Sequence, residues 1–197
     1  MKESYHHGNL KNELLETGIR LLSTEGIESF SLRKLAACCG VSHNAVYRHF
    51  PSKEAMLEAC RAHVRDGLTA CLRAAQEPPL SPEERICALA RAYFAFYRTH
   101  PSYYSVLFRN SSVKIRLTLD KTGENDPPFE EFRQAFCALS QAQGLTAQEA
   151  QRRLIRFWAL LQGAVSLAVS PNVLLQSDAQ TFWNDNFEPV CNAFQTR

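Results

Sequence analysis

The punctuation of residues 26–51 limits this chain more than any other feature. Ser31 and Ser42 each precede a run free of Gly and Pro, and Gly26, Gly40 and Phe50-Pro51 close the segments around them. Serine is a preferred N-cap, glycine ends helices by turning left-handed, and a residue before proline avoids helical geometry. The spacing therefore predicts two very short helices, Leu32–Cys39 and His43–His49. A tight Cys39-Gly40-Val41-Ser42 turn joins them, and a longer helix over Asn9–Glu25 precedes them. A two-turn helix is marginal in isolation, so neighbours must hold it. Leu10, Leu14, Leu15, Ile19, Leu21 and Leu22 supply an apolar stripe, and Phe30 and Val41 can staple onto Leu35 and Val46. Val46 and Phe50, four apart, then face inward, and His43, Asn44, Tyr47 and Arg48 face out. The unit reads as a helix-turn-helix.

Beyond it, period-2 alternation is missing and helical periodicity recurs. Helices are expected over Lys53 to about Ala75, Glu83–Thr99, Pro101 to about Arg109, Phe129–Gln143, Ala147–Val169 and Ala179–Phe194, with a polar loop at Thr118–Pro128. The expected fold class is all-α, with about nine helices. The expected domains are residues 1–57, the helix-turn-helix, and residues 58–197, a larger helical body. At 197 residues and 45% apolar content the chain can bury a core without staples. No uninterrupted apolar run is long enough for a membrane span, and the first residues lack the apolar core of a signal peptide. A soluble cytoplasmic protein is the expectation. The seven cysteines show no Cys-x-x-Cys spacing, so no metal, cofactor or disulfide framework is expected. Reduced, mostly buried thiols are the plain reading; a redox role for the adjacent Cys38 and Cys39 is the sharper one.

Charge is uneven. Through Lys53 there are seven cations against five carboxylates, so the whole net charge of +2 lies in that segment. Arg33, Lys34, His43 and Lys53 occupy first turns of helices, where the helix dipole disfavours cations. An external polyanion reverses that sign, because helix N-termini with nearby cations bind phosphate.

These residues carry a resemblance. Phe30-Ser31-Leu32-Arg33-Lys34-Leu35-Ala36, then Cys39-Gly40-Val41-Ser42, then Val46-Tyr47-Arg48-His49-Phe50-Pro51-Ser52-Lys53-Glu54-Ala55-Met56-Leu57 resembles the DNA-binding domain of the tetracycline-repressor (TetR) family. The likeness runs from about Tyr5 to Leu57. Tyr93–Tyr97, His100–Tyr104, Leu107-Phe108 and Phe157–Leu167 resemble one of that family's C-terminal ligand domains, except that Gln162 stands where such domains often carry His.

The resemblance implies roles. Ser31 and Arg33 would contact phosphate, as would Ser42, Tyr47 and Lys53, with His49 near the backbone. His43 and Asn44 would face base edges in the major groove, where Asn can pair with adenine through two hydrogen bonds. His6 and His7 could reach a neighbouring groove as an arm, although a disordered terminus is the plainer reading. In the body, Phe94, Tyr97, Tyr104, Phe108, Phe157 and Leu161 would line a cavity for an apolar or aromatic effector. The last two helices, through Leu154, Trp158, Leu161, Val165, Trp183, Phe187 and Val190, would form a four-helix homodimer interface. Small Gly163, Ala164 and Ala168 would allow close approach. The implied function is a dimeric, ligand-responsive regulator, a repressor of a palindromic operator released by its effector. The alternative is a DNA-binding scaffold or activator answering to a protein partner. An enzyme is not expected: Ser31-Leu32-Arg33-Lys34 matches a Ser-x-x-Lys nucleophile pattern but lacks its companion motifs.

Overall fold

A computed structural model describes residues 7–77, 79–108, 114–121 and 125–193. They form an all-α chain with no strand among the described residues. In order the helices are α1 (His7–Ser29), α2 (Leu32–Cys38), α3 (His43–His49), α4 (Lys53–Ala74), α5 (Pro82–Thr99), α6 (Pro101–Phe108), α7 (Pro127–Gln143), α8 (Ala147–Val169), α9 (Ala179–Asn186) and α10 (Glu188–Asn192). The chain divides into two compact units. The first takes α1, α2, α3, α4 as far as Asp66, and α6. The second takes α4 from Gly67, then α5 and α7 to α10.

The first unit is built around its caps. Ser31 Oγ accepts from the Lys34 amide at 3.2 Å, and Ser42 Oγ accepts from the Ala45 amide at 3.2 Å. Gly26 interrupts α1 at φ 80°, ψ 169°, leaving one further turn before α2. Gly40 makes the turn between α2 and α3 at φ 63°, a conformation a β-carbon disfavours. Leu14, Ile19, Leu35, Val46, Met56 and Cys60 are fully buried together as its core. The two-turn α3 is thus held by tertiary packing through Val46 and Phe50, not by its own propensity.

The second unit is held by aromatic packing. Tyr93 lies 5.0 Å from Tyr97, 5.7 Å from Phe132 and 5.6 Å from Trp158, centroid to centroid. Phe157 meets Phe136 and Phe187, and Trp183 stacks on Phe187 at 4.3 Å. Capping boxes at Ser81/Glu84 and Thr146/Glu149 start α5 and α8.

Besides the extension of α1 back to His7 and past Gly26 to Ser29, and shifts of a single residue elsewhere, two boundaries differ from expectation. α7 starts at Pro127, two residues earlier, because proline is tolerated in a helix's first turn. The expected final helix splits at Phe187, because Pro189 cannot donate to the ladder and its ring clashes with the carbonyl four residues back. Three of the seven thiols, Cys60, Cys87 and Cys191, are buried, so "mostly buried" overstates their burial. None forms a disulfide, and desolvation pushes Cys60 up to about 12.

Ion pairing ties α10 to α5. Arg91 grips Glu188 through Nε and Nη2, and Trp183 Nε1 donates to the same carboxylate at 3.0 Å. The Arg91 guanidinium, followed by the Trp183 hydrogen bond, holds the Glu188 carboxyl below its usual range despite partial desolvation. A carboxylate depressed in the folded state contributes stability above its unfolded pKa and loses it as pH falls through the folded value. Glu188→Gln should therefore flatten the acid limb of the stability–pH curve and leave the neutral-to-alkaline shape unchanged. Urea titrations across that range check it; an unchanged acid limb would refute the linkage.

Candidate nucleic-acid interface

α3 presents a narrow polar face. His43, Asn44, Tyr47 and Arg48 are exposed, Tyr47 at 45%, while Val46 and Phe50 anchor the opposite side. The His43 ring stands edge-on to Tyr47 with centroids 4.6 Å apart and planes at 79°. That contact limits the rotamers of both rings, and Asn44 beside them in sequence is exposed. No acid lies in the first turn of α2 or α3. The face thus offers hydrogen-bond donors, acceptors and an aromatic ring without a carboxylate of its own.

Not every expected contact residue is equally available. Ser31 and Ser42 use their oxygens as caps, but a hydroxyl that accepts still has its proton to donate. Arg33 is exposed and makes no ion pair among the described residues. Lys34 is paired with Glu25, so the expected excess of positive charge at the start of α2 rests on Arg33. Lys53 Nζ donates to the Ile27 carbonyl at 2.7 Å, tying the start of α4 to the last turn of α1. Two ammonium protons remain for another partner. His49 is half-buried and tilts against Phe50 at 6.2 Å. His6 and the side chain of His7 lie outside the described residues. Cys38 is exposed beside the turn, whereas burial pushes the Cys39 thiol up, away from the reactive thiolate.

The expected effector-lining residues fall in two places. Phe94, Tyr97, Phe157 and Leu161 are buried in the second unit, with Phe94 4.5 Å from Trp183 and Tyr97 beside Tyr93. Tyr104 and Phe108 pair at 4.8 Å on α6, in the first unit. Gln162 Nε2 donates to the Tyr93 hydroxyl at 2.9 Å, so its amide serves as a donor where similar domains often place an imidazole.

The dimer stripe needs correction. Leu154, Trp158, Leu161, Val165, Trp183 and Phe187 are core residues of the protomer, and Val190 is half-buried. They fill the second unit because they lie on the face of α8 and α9 turned toward α5 and α7. The other face of α8 exposes Ile155, Ala159, Leu160, Gly163 and Leu167. A β-carbon on Gly163 would meet nothing within 4 Å. Helical periodicity alone finds a stripe but not which of two stripes faces inward.

One cluster escaped sequence reasoning. Glu16 Oε1 on α1 accepts from the Tyr103 hydroxyl of α6 at 2.6 Å and lies 2.8 Å from His63 Nε2 of α4. The His63 and Tyr103 rings meet edge-on at 6.3 Å. Burial, then the Glu16 carboxylate, pushes Tyr103 up, so its hydroxyl stays protonated and donates. No local motif signals this cluster, since its members are far apart in the chain. No group of three or more side chains suited to a metal occurs among the described residues, and no described helix is long and apolar enough to cross a membrane.

Comparison with known proteins accords with this geometry. Residues 14–60 match the model for bacterial regulatory proteins of the tetR family, and residues 86–187 match the tetracyclin repressor-like C-terminal domain. Among curated proteins, the nucleoid occlusion factor SlmA of Haemophilus ducreyi is 31% identical over 114 residues, 54% of this chain and 56% of that one. SlmA of Vibrio campbellii is 30% identical over 55% of this chain and 59% of its own. The chain thus spans little more than half the length of these relatives. Among solved structures, a protein of unknown function from Rhodococcus sp. RHA1 superposes with TM-score 0.65 at 26% identity, covering 98% of this chain and 97% of that one. The TetR family regulator PfmR of Thermus thermophilus superposes at 0.64 with 20% identity, covering 92% and 93%, which shows a shared fold.

Proposed function

The chain belongs to the tetR family of bacterial regulatory proteins, DNA-binding transcriptional regulators and not enzymes, and on that premise we propose that it represses a palindromic operator as a homodimer and releases it when a small apolar or aromatic effector binds. The observation that carries the reading is the exposed His43–Asn44–Tyr47 face on a helix too short to stand alone but packed through Val46 and Phe50. Asn44 and His43 read base edges; Ser31, Arg33, Ser42, Tyr47, His49 and Lys53 hold phosphates. One two-turn helix covers few base pairs, so two heads about 34 Å apart, one duplex turn, supply selectivity. The exposed stripe of α8 around Leu160 and Gly163 is the face on which the second copy packs.

The effector enters among Phe94, Tyr97, Phe157 and Leu161 of the second unit. Because these four are sealed in that unit's buried core, binding requires the aromatic packing to open. That requirement favours a second reading, in which a protein partner controls the DNA-bound state. The curated relatives' name, nucleoid occlusion factor, accords with it. Cytoplasmic localisation, on the nucleoid, follows from either reading.

Selection of bound duplexes from a random pool tests the function. A consensus with two inverted half-sites one turn apart is expected, and failure to retain any duplex at low salt overturns it. Binding should weaken steeply with salt as counterions are retained on free DNA. Arg33→Ala should weaken all sequences alike and reduce the log–log salt slope by about 1. A melting shift with apolar compounds supports the effector reading, and its absence across a broad library favours the protein partner.

A further inference from the structure

We propose that Glu16 is the positioning residue that couples the DNA-binding head to the second unit, an inference that rests on the DNA-binding reading above. The division of the chain carries the argument. The path leaves the first unit inside α4, between Asp66 and Gly67, returns between Pro101 and Ser102 at the start of α6, and leaves again after Ser112. The first two crossings are made by α4 and by the start of α6, so a displacement in the second unit reaches the head through those helices. Within the head, His63 lies one helical turn before the first crossing, and Tyr103 lies two residues after Pro101. One carboxylate oxygen, Glu16 Oε1, bonds to both, at 2.8 and 2.6 Å.

That geometry makes α1 answer to the first two crossings at once. Hydrogen bonds to an ionised carboxylate are among the stronger ones, and the buried Tyr103 hydroxyl has its donor satisfied there. The His63 ring adds an edge-on contact to Tyr103, so the three groups form one cluster and not two independent bonds. α1 in turn packs on α2 and, through the Lys53–Ile27 tie, on the start of α4 that follows α3. A shift of α4 or α6 therefore pulls on the element that supports the reading helix. Coupling between sites is reciprocal, so DNA held by α3 must also bias the segments at the crossings.

Hydrogen exchange measures this without knowledge of the effector. The probe is a duplex selected by the protein itself, added in excess, and the readout is amide exchange in the last turn of α5, Phe96–Thr99, which lies in the second unit. In the wild-type protein the duplex should slow that exchange about fivefold or more. Glu16→Ala and Tyr103→Phe should still bind the duplex within about threefold while its effect on α5 is lost, and Glu16→Gln, which keeps an acceptor for Tyr103, should retain part of it. Tyr103→Phe removes a single oxygen, so it reports even if Glu16→Ala fails to fold. A wild-type-like response in Tyr103→Phe, or no response of α5 in the wild type, overturns the coupling and leaves DNA binding standing. A wild type that binds no duplex overturns both.

Discussion

Trp158→Ala should cost about 3–5 kcal/mol of folding free energy, the range for emptying a large aromatic site in a core. Trp158 is 6% exposed and lies 4.9 Å from Phe129, 5.4 Å from Phe132 and 5.6 Å from Tyr93. No neighbour can collapse into the space without breaking its own ring contacts. Urea unfolding at two protein concentrations gives the measurement. A core role predicts a loss that persists at both concentrations, whereas a residue seated only between protomers would be felt through dimer dissociation. Leu160→Asp is the counterpart: at 52% exposed it should barely change the folding of the protomer and should shift the sedimenting mass toward the monomer. A loss under about 1 kcal/mol for Trp158→Ala would contradict the packing described for the second unit.

Asn44→Ala should relax base preference at one position of each half-site by about 1–3 kcal/mol, roughly 5- to 150-fold, with little change at the others. The physical basis is the fit of a carboxamide to adenine, whose donor and acceptor it can meet at once. Tyr47→Ala should behave differently, weakening every duplex alike, because its ring and hydroxyl meet the backbone. Competition gel shifts with single-base variants of the selected site separate the two patterns. Unchanged preference in Asn44→Ala would remove it from the reading residues.

The head was legible in the order of its residues. Serine caps, a left-handed glycine and a proline stop are local instructions, acting within a few residues. The α2-turn-α3 unit therefore lies where it was expected, with Val46 inward and Asn44 outward. The ends of α8 fall at the expected Ala147 and Val169. Which stripe of α8 faces the core was not legible, because helical spacing repeats on every apolar face and packing against α5 and α7 is what breaks the tie. Packing likewise settles that Lys34 is neutralised, that Lys53 ties α4 to α1, and that Glu16 gathers His63 and Tyr103. Those contacts join residues up to 87 positions apart. Pairing over such distances depends on how helices pack in space, which no short-range signal in the chain encodes.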